Sequence, residues 1–257
     1  MHTPVLGGGK AKLDSKVRRP GLPDSFFVQL DPAGIPLYLA EMDTDQSVNL
    51  TDSPRPARTR RPDDRGPEIA RAALDLFVTR GFAATKLEDV AKAAGVSKGL
   101  PYLYFKNKEE LFKAVIAEAI GEPLVKATEF VDRYQGSTED LLRDLIVMFR
   151  AFAESPLGGV IKLILAEAGN FPDVAHFYCS TFELRGRALF AKTLRRGVAR
   201  GEFRPIADID ATAIVVAQPL AMHSVWLRSL APFDKQAPTS DAFYAAYLDL
   251  ILKGLRS

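Results

Sequence analysis

The chain has 257 residues, of which 47% are hydrophobic and 26% charged, and its formal net charge is +2. These values are typical of an ordinary soluble protein and exclude a strongly basic chain, so any affinity for nucleic acid must come from local placement of charge. The single cysteine, Cys179, excludes an internal disulfide, and the absence of a secretory signal or an apolar run of membrane-spanning length predicts a cytoplasmic protein.

Residues 1–65 are rich in Gly, Pro and charged residues and show little periodicity, which predicts a mostly disordered or extended segment. Within it, FFVQL at 26–30 and LYLAEM at 37–42 are candidates for short local elements. A chain beginning at Met42 would have a short polar lead-in to the first helix. We therefore treat 1–41 as an extension from a start site assigned too far upstream, as a hypothesis.

A basic cluster stands directly before the first predicted helix. It consists of Arg55, Arg58, Arg60 and Arg61. Such a cluster is typical of an arm that follows DNA phosphates or enters a minor groove. It is equally typical of a solvated tail, and the sequence leaves both interpretations open.

The pattern from residue 66 to 115 predicts a three-helix unit. An amphipathic helix is expected at about 67–80, and Thr85–Phe105 then contains two short helices with a sharp turn between them. Thr85 and Glu88 have the spacing of a capping box, Gly95 suits a positive φ at the turn, and Ser97 is a candidate cap for the second short helix. This pattern predicts a DNA-binding helix-turn-helix.

The second short helix carries the candidate base-reading residues. Lys98, Gly99 and Tyr102 fall on one face, where Lys98 can donate to guanine and Tyr102 can contact a thymine methyl or a phosphate. The other candidate DNA contacts are Thr85, Ser97, Leu100, Tyr104, Lys106 and Lys108. Each lysine taken singly is equally well explained as a solvated charge.

These stretches closely resemble the N-terminal domain of TetR/AcrR-family transcriptional regulators. The matching residues are A-L-D-L-F-x3-G-F at 73–82, T-x3-D-V-A-x3-G-V-S-K-G at 85–99 and Y-L-Y-F-K-N-K-E-E-L at 102–111. The resemblance implies that the candidate residues make base and phosphate contacts. Two positions depart from the pattern, since Leu100 stands where a small polar residue is common and Pro101 where Leu or Ile is common.

The remainder, 116–257, is predicted to be wholly helical. Asn107 and Glu110 mark a helix start, and Pro123 is expected to kink or interrupt that helix near a domain junction. Further helices are expected at about 138–154, 157–168, 172–200, 208–230 and 240–255, with a kink at Pro219.

By resemblance, the C-terminal region is a dimerising bundle with a cavity for a small effector. Candidate lining residues are Phe171, His176, Phe177, Tyr178, Gln218, Met222, His223 and Trp226, although ordinary core packing explains any one of them as well. Candidate dimer-interface residues on the last helix are Phe243, Tyr247, Leu250 and Ile251.

The sequence therefore predicts an all-α, homodimeric, ligand-responsive regulator that represses transcription from a palindromic DNA operator and is released by a small-molecule effector. No catalytic constellation, metal motif or cofactor motif is apparent. Two other classes stay open at this point, a helical enzyme that carries an incidental helix-turn-helix and a protein-interaction module.

Overall fold

The computed structural model describes residues 16–18, 27–29 and 65–256. From residue 65 onward the described chain is almost wholly helical, which confirms the all-α prediction. The α-helices are α1 Arg65–Arg80, α2 Leu87–Ala93, α3 Leu100–Tyr104, α4 Lys108–Arg133, α5 Thr138–Glu154, α6 Gly159–Glu167, α7 Pro172–Tyr178, α8 Leu184–Ala199, α9 Ile209–Leu227 and α10 Ser240–Leu255. Single 3₁₀ turns cover Pro156–Gly158 and Ala231–Phe233, and a π-helical turn, Cys179–Glu183, joins α7 to α8.

Two short strands precede the helices. Lys16–Arg18 (β1) and Phe27–Gln29 (β2) pair antiparallel, with Val17 opposite Val28. β2 lies inside the FFVQL stretch that was a candidate for a short local element, and the disordered or extended character of 1–65 as a whole stays a prediction. Met42, LYLAEM and the basic cluster lie outside the described residues.

Side-chain caps explain where several helices begin. Asn107 accepts a hydrogen bond from the Glu110 N–H at 2.8 Å, which confirms the predicted start of α4. Ser137, Asp208 and Thr239 accept equivalent bonds at the starts of α5, α9 and α10. Each cap satisfies a backbone donor that has no partner inside its own helix.

Neither internal proline ends its helix. α4 continues through Pro123 to Arg133, and α9 continues through Pro219 to Leu227. The possibility that Pro123 interrupts α4 is therefore wrong. The predicted 172–200 helix is present as α7, the π turn and α8 in succession.

Helix α4 belongs to both ends of the molecule. Its first half buries Leu111, Phe112, Val115 and Ile116 in the core shared with α1, whereas its second half faces the C-terminal helices. One hydrophobic core therefore runs from the helix-turn-helix into the C-terminal bundle, and α4 passes across the 115/116 boundary expected from the sequence.

Two close contacts outside α4 also join these ends. The rings of Phe82, in the α1–α2 loop, and Phe171, at the start of α7, meet edge to face with centroids 4.7 Å apart. At the start of α6, a Cβ on Gly159 would lie 2.9 Å from a methyl group of Val78 on α1, so a larger residue there would force the Val78 side chain to shift. A movement of α6 or α7 would therefore displace α1 or the loop that follows it.

Candidate nucleic-acid interface and effector cavity

The α2–α3 turn has the close geometry of a helix-turn-helix. Gly95 takes a φ of 66° at the end of α2, which residues other than glycine rarely adopt. Directly after it, the Val96 N–H donates to the Ala91 carbonyl at 3.0 Å. Ala91 is buried between the two helices, where a larger side chain would hold them apart.

The cap of α2 differs from the prediction by one residue. The Thr85 side chain is buried, and its hydroxyl donates to the Gly81 carbonyl at 2.8 Å, with the Leu76 carbonyl 3.3 Å away. Lys86 is the N-cap, and its N–H donates to the Asp89 carboxylate at 3.2 Å. The Thr85–Glu88 capping box is therefore wrong, and Thr85 fastens the end of α1 with its hydroxyl directed away from the surface.

Helix α3 begins later than predicted. Gly99 is its N-cap, and among the described residues no side chain caps it, so the Ser97 capping prediction is wrong. The Ser97 carbonyl instead accepts the Leu100 N–H at 2.9 Å. Pro101 occupies the first turn, where its missing N–H costs little, and its carbonyl accepts the Phe105 N–H at 2.9 Å.

One face of the α2–α3 unit is open to solvent and carries the predicted base readers. Ser97, Lys98 and Gly99 are exposed, and Tyr102 is 54% exposed. Leu103, which the sequence argument passed over, is 81% exposed and belongs to the same helix. Leu100 is half-buried and packs against the core, so it does not extend from this face as a thymine-contacting residue would.

Lys98 has a partner that the sequence argument did not identify. Its ammonium lies 2.8 Å from a carboxylate oxygen of Glu88 in the first turn of α2. The hydrogen bond to Glu88 raises the pKa of Lys98, so the ammonium form is favoured.

The three residues that were expected to reach the flanking DNA backbone differ in their surroundings. Lys106 is exposed. Lys108 is half-buried, donates to the Ala83 carbonyl at 3.0 Å and lies 4.4 Å from the Phe82 ring centroid, while burial lowers its pKa. Lys108 therefore holds the α1–α2 loop against α4. The ring of Tyr104 comes within 3.7 Å of where a Cβ on Gly66 would stand, so it packs on the start of α1.

A cavity of about 930 Å³ lies in the C-terminal bundle. Its walls come from α4, α5, α6, the π turn with α8, and α9, and most of its lining is apolar. Lining residues include Ile120, Leu124, Phe149, Ile164, Phe190 and Met222. The volume is at the upper end of the range for sites that bind small organic molecules.

Three of the eight predicted lining residues reach this cavity, namely Tyr178, Gln218 and Met222. The other five lie elsewhere. Phe171 contacts Phe82, His176 is exposed, and Phe177 packs on Phe182 with centroids 5.7 Å apart. His223 is buried with its ring stacked on Phe243 at 3.7 Å, and Trp226 lies parallel to His223 at 5.7 Å.

A few polar groups interrupt the apolar lining. Burial raises the pKa of Tyr178 to about 12, so its phenol stays protonated and can donate a hydrogen bond. Gln218, Lys126 and Arg187 also line the cavity, and Arg187 lies 3.6 Å from Glu183, another lining residue.

The predicted dimer-interface residues on α10 lie on different faces. The Tyr247 side chain is buried in the protomer and donates to the Val216 carbonyl, and Phe243 packs on His223, so both face inward. Ile251 is half-buried, and Leu250 is 72% exposed. Val215 and Met222 on α9 are also exposed apolar residues.

Comparison with known proteins identifies the fold. The N-terminal family model of bacterial regulatory proteins of the tetR family matches residues 69–115, and the tetracyclin repressor-like C-terminal domain matches residues 135–240. The chain belongs to the TetR family. It is a DNA-binding transcriptional regulator.

Individual relatives of this TetR-family chain are regulators too. It is 25% identical to the HTH-type transcriptional repressor KstR2 of Mycolicibacterium smegmatis, over 76% of this chain and 92% of that protein. The fatty acid degradation regulator FadR of Bacillus halodurans superposes with a TM-score of 0.63 and 23% identity, covering 77% of this chain and 99% of that one. The transcriptional regulator FadR of Bacillus subtilis, solved in complex with stearoyl-CoA, superposes with a TM-score of 0.57 and 21% identity, covering 73% and 97%.

No helix among the described residues of this TetR-family chain has the length and apolar character needed to cross a membrane.

Proposed function

We propose that the protein is a homodimeric repressor that binds a palindromic operator and leaves it when an apolar effector enters the C-terminal cavity. The observation that carries this proposal is the position of α4. Phe112 and Val115 in its first half pack in the core shared with α1, directly after α3 in the chain, and Leu124 and Ala127 in its second half line the cavity. A rigid helix that borders both sites is a physical route by which one can bias the other.

The DNA-binding half of the proposal rests on Ser97, Lys98 and Tyr102. They present a hydroxyl, an ammonium and a phenol on one exposed face, and such groups bind phosphates and base edges. Lys106 adds an exposed charge beyond α3. Thr85 and Lys108 are left out, because their polar atoms are engaged inside the fold.

The proposal that the protein is a homodimer rests on exposed apolar residues of α9 and α10. Val215, Met222 and Leu250 are each more than half exposed in the protomer, and Val215 and Met222 also line the cavity. A two-fold axis beside these helices would bury both copies of this surface. It would also hold two α3 helices at a fixed spacing, as a palindromic operator requires.

The cavity favours an extended apolar effector with a polar or anionic end. The aliphatic and aromatic walls suit a hydrocarbon body, while the Tyr178 phenol, the Gln218 amide and the cations Lys126 and Arg187 suit a carbonyl, carboxylate or phosphate group. Among the similar structures, KstR2 of Mycobacterium tuberculosis is named a ketosteroid transcriptional regulator, FadR of Bacillus halodurans is named a fatty acid degradation regulator, and FadR of Bacillus subtilis was solved in complex with stearoyl-CoA, a molecule of compatible character.

The proposed mechanism is a shift between two conformations. Effector between α4 and α8 favours a state in which α4 and the Phe82–Phe171 contact are displaced. The two α3 helices of the dimer then no longer match two successive major grooves.

The first experiment tests DNA binding. The purified protein is offered random-sequence duplexes and DNA from upstream of its own gene, and the affinity for the recovered duplex is measured over a salt series. We expect saturable binding that exceeds binding to a scrambled duplex and weakens with salt. Equal, weak binding to every duplex would overturn the proposal.

The second experiment tests the effector site. Thermal shift is measured with straight-chain carboxylates, a steroid carboxylate and acyl-coenzyme A thioesters, in the native protein and in Ile164→Trp, whose larger side chain would narrow the cavity. A ligand that stabilises only the native protein supports the site. Stabilisation of both proteins alike would place binding elsewhere.

A further inference from the structure

A carboxylate stands on the surface that is proposed to face DNA. Glu88 is in the first turn of α2, and its oxygen lies 2.8 Å from the Lys98 ammonium, with 47% and 72% of the two side chains exposed. Exposed ion pairs of this kind contribute little to folding stability. The fold therefore does not require Glu88 at this position.

The pair changes what Lys98 can do for non-specific binding. Affinity for arbitrary DNA comes almost entirely from phosphates that lysines and arginines neutralise. A lysine already neutralised by Glu88 gains less from a phosphate, and the carboxylate itself repels the DNA backbone. Glu88 therefore weakens contacts that carry no sequence information.

The same pair has the pattern needed to read a base pair. An ammonium has three donors, so Lys98 keeps two for guanine O6 and N7 while one is held by Glu88. The second oxygen of Glu88 can accept from the cytosine amino group. A donor and an acceptor fixed side by side complement the major-groove edge of a G·C pair.

We propose that Glu88 is a specificity-determining residue that, through Lys98, selects a G·C pair in each half-site and suppresses binding to other DNA. This inference rests on the proposed DNA-binding function. It adds a repulsive element to the reading surface, which is a general way to separate a correct from an incorrect partner.

The test compares Glu88→Gln, Lys98→Met and the double variant with the native protein, by duplex selection and by affinity for the selected and a scrambled duplex. Asp75→Asn, an exposed acid on α1, is the control for the change in net charge. Folding of each variant is checked by circular dichroism, and salt slopes are recorded for both duplexes.

We expect Glu88→Gln to bind scrambled DNA about tenfold more tightly while its affinity for the selected duplex changes by less than about threefold. The salt slope should increase by about 0.9 for each lysine released, and the selected G·C position should become degenerate. In the Lys98→Met background Glu88→Gln should have a smaller effect on both duplexes, because only the direct contacts of the carboxylate with DNA then remain to be lost.

Three results would overturn the inference: equal effects of Glu88→Gln on both duplexes, an undiminished effect without Lys98, or the same effect from Asp75→Asn. If the native protein prefers a selected duplex and the Glu88→Gln protein has the same affinities for both duplexes as the native protein, only the proposed role of Glu88 is wrong. If the native protein prefers no duplex, the proposed function fails and this inference with it.

Discussion

The DNA-reading surface and the effector cavity are encoded differently. The surface comes from one short stretch, Thr85–Phe105, in which turn glycine, small residue and exposed side chains follow at fixed spacing. The cavity walls come from helices between Ile120 and Met222 that meet only after folding. The surface can be recognised from the local sequence pattern. The cavity depends on which apolar side chains are left without contacts when the helices pack.

The two regions also differ in packing. Around Phe112 the aromatic side chains are in close contact, with Phe77 and Phe82 centroids 5.9 and 4.8 Å away. Around Phe149 the side chains border a cavity of about 930 Å³. The tightly packed end holds one shape, and the loosely packed end has room for a small molecule.

The largest effect should come from the tightly packed end. Phe112→Ala removes a fully buried ring and should lower the free energy of unfolding by about 3–5 kcal/mol. Phe149→Ala, at the cavity wall, should cost only about 1 kcal/mol, because that half-buried ring already lacks neighbours on one side. Urea unfolding followed by circular dichroism measures both, and equal losses would contradict the contrast in packing.

The next largest effect should be on the affinity for DNA. Tyr102→Ala should weaken the affinity for the selected duplex about 100-fold, since a dimer loses two contacts of about 1–3 kcal/mol each. Phe233→Ala removes another exposed aromatic residue, away from α3, and should leave the affinity unchanged. Fluorescence anisotropy at fixed salt compares them. A Tyr102→Ala protein with native affinity would remove Tyr102 from the reading surface.

A smaller effect should appear in the link between the regions. Phe171→Ala removes the ring that contacts Phe82. The factor by which the effector weakens DNA affinity should therefore be about fivefold smaller than in the native protein. DNA affinity without effector should stay within about threefold of native. His176→Ala, at an exposed position of α7, is the control. Full effector sensitivity in Phe171→Ala would exclude this contact from the coupling.

The smallest effect concerns pH. Burial lowers the pKa of His223, and its Nε2 has no hydrogen-bond partner among residues 65–256. Because the unfolded chain then binds the proton more readily, stability should be highest above the ordinary pKa of about 6.5 and fall as the pH drops through it.

His223→Phe keeps an aromatic ring stacked on Phe243. In this variant the urea midpoint should change less between pH 7.5 and pH 5 than it does in the native protein. His176→Gln, at an exposed position, is the control for removal of a histidine. An unchanged pH dependence in His223→Phe would assign the titration to another group.

The sequence predicted the helix-turn-helix closely because its determinants are local. Gly95, Ala91 and the exposed Lys98 and Tyr102 lie where the spacing predicted. The wrong prediction in this stretch, the capping box, is also a local one. The Thr85 hydroxyl bonds to the end of α1, and the cap of α2 is formed by Lys86 and Asp89 instead.

The cavity was predicted poorly because its determinants are not local. Aromatic residues near the C-terminal histidines suggested a site, but His223 and Trp226 stack beside α10, and the apolar residues that line the cavity have the same helical spacing as core residues. Ile164 and Phe190 carry no signal that separates them from Leu194, which is fully buried. Only the meeting of α4, α5, α6, α8 and α9 decides which side chains face the empty volume.

The most direct test of the account is reciprocal coupling between the two regions. The affinity for the selected duplex is measured with and without the stabilising ligand, and the affinity for that ligand with and without duplex, in the native protein and in Ile164→Trp. We predict that ligand and duplex weaken each other by the same factor, about fivefold or more, and that the ligand has no effect on DNA binding in Ile164→Trp. Independent binding of ligand and duplex to the native protein would contradict a regulator in which α4 joins the cavity to the DNA-reading surface.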